Sequence, residues 1–276
     1  MPRIALLQMT SGIDPDANAR AIADAITVAA GEGAAMLFTP EMSGLLDRDR
    51  KRAARSIHRE NDTPALAAAR NAASKAGVWV SLGSLAVRTD GERWANRAYV
   101  IGPDGDIAAR YDKIHMFDVD LATGESWRES NAYAPGDEVV TIEDTPVGRL
   151  GLSICYDIRF PALYEALARE RCDALSIPAA FTVPTGKAHW HVLQRARAIE
   201  ASAFVIAAAQ AGEHEDGRHT YGHSLVVDPW GEVLLDMGDT RSGLGYVDFD
   251  LSRIGEARRQ VPSLENRREI PSQAQP

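Results

Sequence analysis

The chain repeats one order of predicted elements, and this repeat restricts its fold more than any other feature. In each half, short apolar runs that predict buried strands alternate with segments of helical periodicity. Each half also contains a hairpin pattern around a proline turn, "VIGPDGDI" in the first half and "VVDPWGEV" in the second. Two such series predict an α/β fold in which two mixed sheets pack face to face with helices outside, a four-layer αββα sandwich.

Apolar periodicity sets the bounds of the individual predicted elements. Strands are predicted over residues 3–8, 34–41, 78–83, 149–155, 174–180 and 203–208, helices over 15–31, 64–76, 161–171 and 188–202, and hairpins over 98–111 and 224–235. On the last helix Val192, Ala196 and Ile199 align, so this face is expected to pack against a sheet. No linker separates the halves, which predicts one domain over residues 1–276 with residues 261–276 as a C-terminal tail.

The charge balance argues against nucleic acids and membrane surfaces as partners. The 276 residues include 30 basic and 39 acidic side chains, a formal net charge of −9, whereas both of those partners need basic patches. No apolar run approaches membrane-spanning length, and two cysteines do not make a disulfide framework in a chain this long. The composition therefore predicts a soluble cytoplasmic protein.

Three reactive side chains follow predicted strands, where α/β sheets gather their ligand sites. Glu41 ends "AMLFTPE", Lys113 follows "IAARYD" and Cys155 follows "LGLSI". A thiol attacks only as a thiolate, so it needs a base such as Glu41 and a cation such as Lys113 nearby. Lys113 and the amide of Tyr156 could both donate to a developing oxyanion. These groups are chemically sufficient for acyl transfer.

The residue types alone leave two other interpretations open. Cys155 could be a small buried core residue, as is expected of Cys172 at the end of the helical pattern "EALARERC". Alternatively the base is a histidine, and Cys155 with His115, His189 or His223 would form a Cys–His dyad.

Histidine spacing does not predict a metal site. His189 and His191 are too close in sequence to bind one ion from the same helix face, and His214, His219 and His223 have no cysteine partner. The expectation is therefore that the protein binds no metal.

One long stretch, residues 112–137, lacks clear periodicity. Loops of this length within a compact domain are usually functional or disordered. Its aromatic residues Phe117, Trp127 and Tyr133 argue against disorder, so it is predicted to be a functional loop.

Four motifs along the chain resemble the nitrilase superfamily of carbon–nitrogen hydrolases. They are "FTPE", "YDKIHMFDVD", "GLSICYDIRFP" and "AHWHVLQRARAIE", in that order. The resemblance implies that Glu41 is the general base, Lys113 the transition-state stabiliser and Cys155 the nucleophile. It further implies a second glutamate in the intervening loop, at Glu129 or alternatively at Glu125. It also implies the αββα fold, a homodimer, and catalysis without a cofactor.

Two further segments resemble the branch of this superfamily that contains ω-amidase and deaminated-glutathione amidase. These are "FDVDLATGESWRES" and "AAAQAGEHEDGRHTYGHSLVVDPWG". The resemblance implies a small-molecule amide substrate and a thioester intermediate. Deaminated glutathione, which would yield 2-oxoglutarate and cysteinylglycine, is the first expectation. The alternatives are ω-amidase activity on 2-oxoglutaramate or another short amide, and a catalytically silent interaction protein that retains the fold.

Four residues near the nucleophile are predicted to bind substrate. Tyr156 directly follows Cys155, and Phe181 and Thr182 in "AAFTVPTG" are expected to line the pocket. Arg159 suits a substrate carboxylate, because its planar guanidinium pairs with two oxygens. The alternative for Arg159 is a structural ion pair with Asp157 or a nearby glutamate.

Overall fold

The structure, a computed structural model, describes residues 1–122, 124–239 and 242–270. The helices are α1 (Pro15–Gly31), α2 (Arg50–Ala53), α3 (Pro64–Ala76), α4 (Pro161–Arg169), α5 (Val183–Ala201) and α6 (Ser252–Gln260). The strands are β1 (Arg3–Gln8), β2 (Ala34–Phe38), β3 (Trp79–Arg88), β4 (Trp94–Ile101), β5 (Ile107–Asp112), β6 (Asp118–Asp120), β7 (Ser126–Arg128), β8 (Thr141–Thr145), β9 (Gly148–Leu152), β10 (Ala174–Ser176), β11 (Phe204–Ala207), β12 (Ala211–Glu213), β13 (His219–Tyr221), β14 (Leu225–Val227), β15 (Val233–Asp236) and β16 (Gly243–Asp248). Short 3₁₀ helices occur at Glu60–Asp62, Glu129–Asn131 and Cys155–Arg159.

Two six-stranded sheets have the same pattern of strand directions. The first has the order β16-β1-β2-β3-β4-β5, and the second has the order β8-β9-β10-β11-β14-β15. In each, three parallel strands are flanked by one antiparallel pairing on one side and by two successive antiparallel pairings on the other. The two halves of the chain therefore build equivalent sheets, as the repeated element order predicted.

Alternate side chains of the first sheet reach two different cores. On β1, Ile4 and Leu6 belong to the core shared with the second sheet, whereas Ala5 and Leu7 pack with α1 and α3. This follows from the two-residue period of a strand. Helices α4 and α5 cover the second sheet, with Trp190 of α5 in its core. The layers are helix, sheet, sheet and helix, so the predicted four-layer αββα sandwich is confirmed.

Helix α5 differs from its prediction in both its start and its orientation. It begins at Val183 rather than at residue 188, because a proline, Pro184, is well accommodated in the first helical turn. Its buried side includes Trp190, whereas Val192 and Ile199 are 68% and 50% exposed. The expectation that Val192 and Ile199 pack against a sheet is therefore wrong, since the larger indole takes the inward direction.

The predicted tail contacts the body of the protein where the structure describes it. Leu264 packs against the main core, and Arg267 Nη1 donates to the Glu165 carbonyl oxygen at 3.2 Å. Residues 271–276 of this tail lie outside the described residues. Within the described ranges, no helix is both long and apolar enough to cross a bilayer.

Candidate active site

A cleft opens where strands of both sheets end. Glu41 follows β2, Lys113 follows β5 and Cys155 follows β9, and all three line this cleft. They are 4%, 2% and 8% exposed, so they lie at its bottom. The cleft encloses about 1130 Å³ when the open solvent at its mouth is included.

Lys113 is held between two carboxylates at the bottom of the cleft. Its Nζ donates to Glu41 Oε1 at 2.9 Å and to the two carboxylate oxygens of Glu129 at 3.1 and 2.9 Å. Burial opposes the lysine charge, but the charges of Glu129 and Glu41 outweigh burial and raise the pKa of Lys113 well above its usual range. Lys113 is therefore a fixed cation beside the Glu41 carboxylate and the Cys155 thiol.

The predicted functional loop presents Glu129 to the cleft. Strands β6 and β7 form a hairpin in this loop, and a 3₁₀ helix begins at Glu129 directly after β7. The Phe117 amide donates to Glu129 Oε2 at 2.7 Å, which ties the start of the hairpin to the same carboxylate. Glu125 lies in the hairpin, where its carbonyl oxygen accepts a hydrogen bond from Leu121. Glu129, and not Glu125, is the glutamate in contact with Lys113.

Asn96 joins the two carboxylates, and the sequence did not predict it. From β4 its Nδ2 donates to Glu41 Oε1 at 3.0 Å and to Glu129 Oε1 at 3.1 Å, and the residue is wholly buried. The sequence feature that could have identified Asn96 is its polar amide side chain within the strand pattern "WANRAYVI". A buried polar group of this kind requires an internal hydrogen-bond partner.

Hydrogen bonds from several directions hold Glu41 in place. The Ala180 amide donates to Glu41 Oε2 at 2.9 Å, and Gln210 Nε2 donates to the Glu41 carbonyl oxygen at 2.9 Å. Burial opposes ionisation, but Lys113 and the other donors outweigh it and keep the pKa of Glu41 below its usual range. Glu41 is therefore a carboxylate that can accept a proton.

Cys155 occupies a strained turn between β9 and α4. Its φ of +48° lies in the left-handed region that residues with side chains rarely adopt, and its amide donates to the Pro178 carbonyl oxygen at 2.9 Å. Burial raises the pKa of the Cys155 thiol well above its usual range, and the adjacent Glu41 carboxylate raises it further. The resting residue is therefore a neutral thiol beside a carboxylate, and it would become a thiolate by giving its proton to that carboxylate.

Asp157 anchors the turn that carries Cys155. Its carboxylate accepts hydrogen bonds from the amides of Ile154 and His115 at 2.9 and 3.0 Å. It also accepts one from the Tyr111 hydroxyl at 2.7 Å. The carboxylate is wholly buried among these partners, so they, rather than the ion pair with Arg159 left open by the sequence, account for its position.

The three histidines considered as alternative bases do not line the cleft. Each of the three has another partner for a ring nitrogen. His115 contacts Asp157, His189 contacts Arg159, and His223 contacts Asp236. The geometry therefore favours Glu41 as the base for Cys155.

Three of the four predicted substrate-binding residues line the cleft. Tyr156, Phe181 and Thr182 form part of its wall. Arg159 is outside the lining, because its guanidinium carbon packs 5.4 Å from the ring centre of Phe181 and its terminal nitrogens lie 3.3 Å from His189 Nδ1. Contact between Arg159 and a substrate therefore stays a prediction.

Arginines that the sequence did not single out lie at the mouth of the cleft. They are Arg48, Arg50, Arg128 and Arg218. Arg218 Nε donates to Asp216 Oδ2 at 3.0 Å, and its guanidinium carbon lies 4.9 Å from the ring centre of Trp127. The Arg48 guanidinium contacts no acidic group within the described part of the chain. Arg128 Nη2 is likewise paired with Asp120 Oδ2 at 2.7 Å, so carboxylates balance two of these four positive charges at the entrance.

Comparisons with known proteins agree with this geometry. The carbon-nitrogen hydrolase family profile matches residues 3–259. Deaminated glutathione amidase of Yersinia enterocolitica is 39% identical over 272 residues, covering 98% of this chain and 94% of the relative.

Two solved structures extend the comparison to three dimensions. The C. elegans NitFhit protein superposes with a TM-score of 0.88 at 38% identity, over 97% of this chain and 65% of that one. An amidase variant from Nesterenkonia sp. AN1, with acrylamide added to its active-site cysteine, has a TM-score of 0.79 at 26% identity. That match covers 95% of this chain and 98% of the amidase.

Proposed function

Because the chain belongs to the carbon-nitrogen hydrolase family and is an amidase for non-peptide carbon–nitrogen bonds, we propose that its substrate is deaminated glutathione. The products are 2-oxoglutarate and cysteinylglycine. The observation that carries the proposal is the arrangement of Lys113 between Glu41 and Glu129, beside the Cys155 thiol and below a mouth lined by arginines.

The proposed reaction begins with acylation of Cys155. Glu41 accepts the thiol proton as Sγ attacks the amide carbon, and the carbonyl oxygen gains negative charge. Lys113 Nζ and the Tyr156 amide stabilise that oxygen. Glu41 then passes the proton to the leaving nitrogen, so cysteinylglycine departs and a thioester remains.

Hydrolysis of the thioester completes the proposed cycle. A water molecule gives a proton to Glu41 and attacks the thioester carbon, which releases 2-oxoglutarate. The proton returns from Glu41 to Cys155, so the enzyme regains its resting state. Every proposed step uses groups of this protein and water, so the proposal includes no cofactor.

The charge at the mouth supports the dianionic substrate over the smaller alternative. Deaminated glutathione carries one carboxylate on its keto-acid part and another on its glycine, whereas 2-oxoglutaramate carries a single one. Arg48 and Arg218 offer two guanidinium groups on the cleft lining, and guanidinium groups pair well with carboxylates. In this proposal they take the role that the sequence had led us to expect of Arg159.

The charge of these arginines provides a direct test. We expect Arg48→Gln and Arg218→Gln each to lower kcat/KM for deaminated glutathione about 10-fold to 100-fold, the loss of one charged hydrogen bond. Hydrolysis of neutral propionamide should change less than about 2-fold, because it has no carboxylate. Arg55→Gln is the matched control, since Arg55 is exposed near the cleft but does not line it.

Two results would contradict the substrate assignment. One is a higher kcat/KM for 2-oxoglutaramate than for deaminated glutathione, which would favour the ω-amidase alternative. The other is an equal loss on both charged and neutral substrates, which would mean that the arginines hold the cleft rather than bind a carboxylate.

A homodimer and a cytoplasmic location complete the proposal. The dimer is supported by the apolar residues Val192 and Ile199, which α5 exposes on the outer surface. The location is supported by the chemistry, because Cys155 must stay a free thiol and reducing compartments keep thiols free.

A further inference from the structure

Two histidines and one aspartate converge outside the active-site cleft. His191 lies on α5, His223 lies two residues before β14, and Asp236 ends β15. Asp236 Oδ2 is 2.9 Å from His191 Nε2 and 3.1 Å from His223 Nδ1. One ligand atom from each residue lies within 4.8 Å of the others. We propose that these three side chains bind a divalent transition-metal ion, with Zn²⁺ as the principal candidate.

The distances are close to those that a zinc ion imposes. Zinc bonds to imidazole nitrogen and carboxylate oxygen are about 2.0–2.2 Å, so tetrahedral ligand atoms lie about 3.3–3.5 Å apart. The Asp236 oxygen lies 2.9 and 3.1 Å from the two histidine nitrogens, and those two nitrogens lie within 4.8 Å of each other. The side chains rotate to bring all three separations to this value when the ion binds. Three protein ligands leave the fourth position to water.

The ligand types select a class of ion. Two imidazoles and one carboxylate suit zinc, copper, iron and nickel, whereas magnesium and calcium prefer sites made wholly of oxygen. The sequence argument against a metal compared histidines only with one another and with the cysteines. Asp236 supplies the missing third ligand, and it comes from a strand in the second hairpin.

The backbone around the three ligands is held by contacts that need no ion. The His223 amide donates to the Gly238 carbonyl oxygen at 2.6 Å, and Trp190 Nε1 donates to the His223 carbonyl oxygen at 2.9 Å. The Gly238 amide donates to Asp236 Oδ1 at 2.9 Å. Trp190, the residue before His191, is wholly buried. Its packing fixes the backbone from which the His191 side chain extends. A site whose backbone is fixed in advance loses less entropy when it binds a ligand.

The site is also accessible to ions from solvent. The side chains of His191, Asp236 and His223 are 35%, 32% and 21% exposed. Tyr221 stacks on His223 with ring centres 4.3 Å apart and shields one side of the cluster. Without an ion, the same three groups form a hydrogen-bonded bridge between α5 and the hairpin, which is the competing interpretation.

Zinc titration by calorimetry distinguishes binding from a hydrogen-bonded bridge. The parent protein for this titration is the full chain without an affinity tag, carrying Cys155→Ala and freed of metal by EDTA dialysis. The substitution is needed because a cysteine thiol can itself bind zinc. We expect one Zn²⁺ per chain. His191→Gln and Asp236→Asn should each weaken binding at least 100-fold. His189→Gln is the matched control on the same helix and should bind zinc as the parent does.

Two further measurements guard against misfolding and unspecific binding. Zn²⁺ should raise the Tm of the Cys155→Ala protein and leave the Tm of its His191→Gln derivative unchanged. Co²⁺ should show the absorption of a tetrahedral site in the first protein only. The proposal is overturned if the parent binds no zinc stoichiometrically, or if a folded His191→Gln protein binds it with the parent's affinity.

Discussion

Met42 and Cys155 have φ values of +55° and +48°, and each lies at a strand end that carries a reactive group. Such backbone costs about 1–3 kcal/mol and persists only where surrounding contacts hold it. Here the Met42 amide donates to Ser84 Oγ at 3.0 Å, and the Cys155 amide donates to the Pro178 carbonyl oxygen at 2.9 Å. The strain is therefore located where Glu41 and Cys155 must face each other.

At the same scale, Asn96 should control the protonation of Glu41. Asn96→Ala removes a donor that lowers the pKa of Glu41, so that pKa should rise. In the proposed mechanism Glu41 is ionised to act as the base, so the acid limb of the kcat/KM profile should move to higher pH. A hydrogen bond to a charged group is worth about 1.5–3 kcal/mol, so the displacement of the acid limb should be measurable.

The measurement is kcat/KM for propionamide against pH, in wild type and Asn96→Ala. Asn71→Ala, an exposed position on α3, is the control and should keep the wild-type profile. A lower rate with an unmoved acid limb would mean that Asn96 supports the site only through packing.

At the scale of elements, the approach of β3 to the turn after β2 places Glu41. A Cβ built on Gly83 would lie 2.0 Å from the Thr39 carbonyl oxygen and 2.6 Å from that of Pro40. It would also lie 2.6 Å from Pro178 Cβ, next to the loop that holds Cys155 and Ala180. No side chain fits there, so the glycine allows these segments to meet.

Gly83→Ala should therefore displace the active site as well as destabilise the protein. Overpacking of this kind costs about 1–3 kcal/mol in the free energy of unfolding. We expect kcat to fall about 10-fold or more, since small displacements of catalytic groups are costly. Denaturant unfolding and steady-state kinetics measure the two effects. Gly243→Ala in β16, where an added Cβ meets nothing within 4 Å, should leave both near wild type.

At the scale of the whole molecule, the exposed apolar residues of α5 bear on assembly. Val192 and Ile199 are 68% and 50% exposed, and Trp230 of the second hairpin is 51% exposed. Large apolar side chains grouped on an outer surface are typical of protein interfaces. The homodimer that the superfamily resemblance implied would bury this surface.

A charge on α5 should therefore separate the subunits. We expect wild type to behave as a dimer by size-exclusion chromatography with light scattering, and Val192→Asp to shift it to the monomer, because an unpaired buried charge is costly. Val28→Asp is the matched control, since Val28 is 53% exposed on α1 in the opposite outer layer. A wild-type monomer, or a Val192→Asp dimer, would contradict the proposed interface.

The sequence by itself determined the layers of this protein and named its candidate reactive residues. Alternation and helical periodicity are local properties, so they predicted the order of strands and helices and the repeat between the halves. Glu41, Lys113 and Cys155 could be named because each follows a strand, and because the motifs around them resemble those of a known superfamily. For the second glutamate, the sequence predicted Glu129 with Glu125 as the alternative. Only the contact with Lys113 in the structure distinguished Glu129 from Glu125.

Only the tertiary structure decided which distant side chains meet. Glu41 and Lys113 are 72 residues apart, and Asp236 is 45 residues from His191, so sheet order and helix packing set both distances. Tertiary packing also placed Asn96 between two carboxylates. It turned Val192 outward as well, because the larger Trp190 side chain took the buried direction that the local apolar pattern had assigned to Val192. Periodicity specifies how a segment folds, whereas its neighbours across the sheet and the competition of side chains for the core specify what that segment touches.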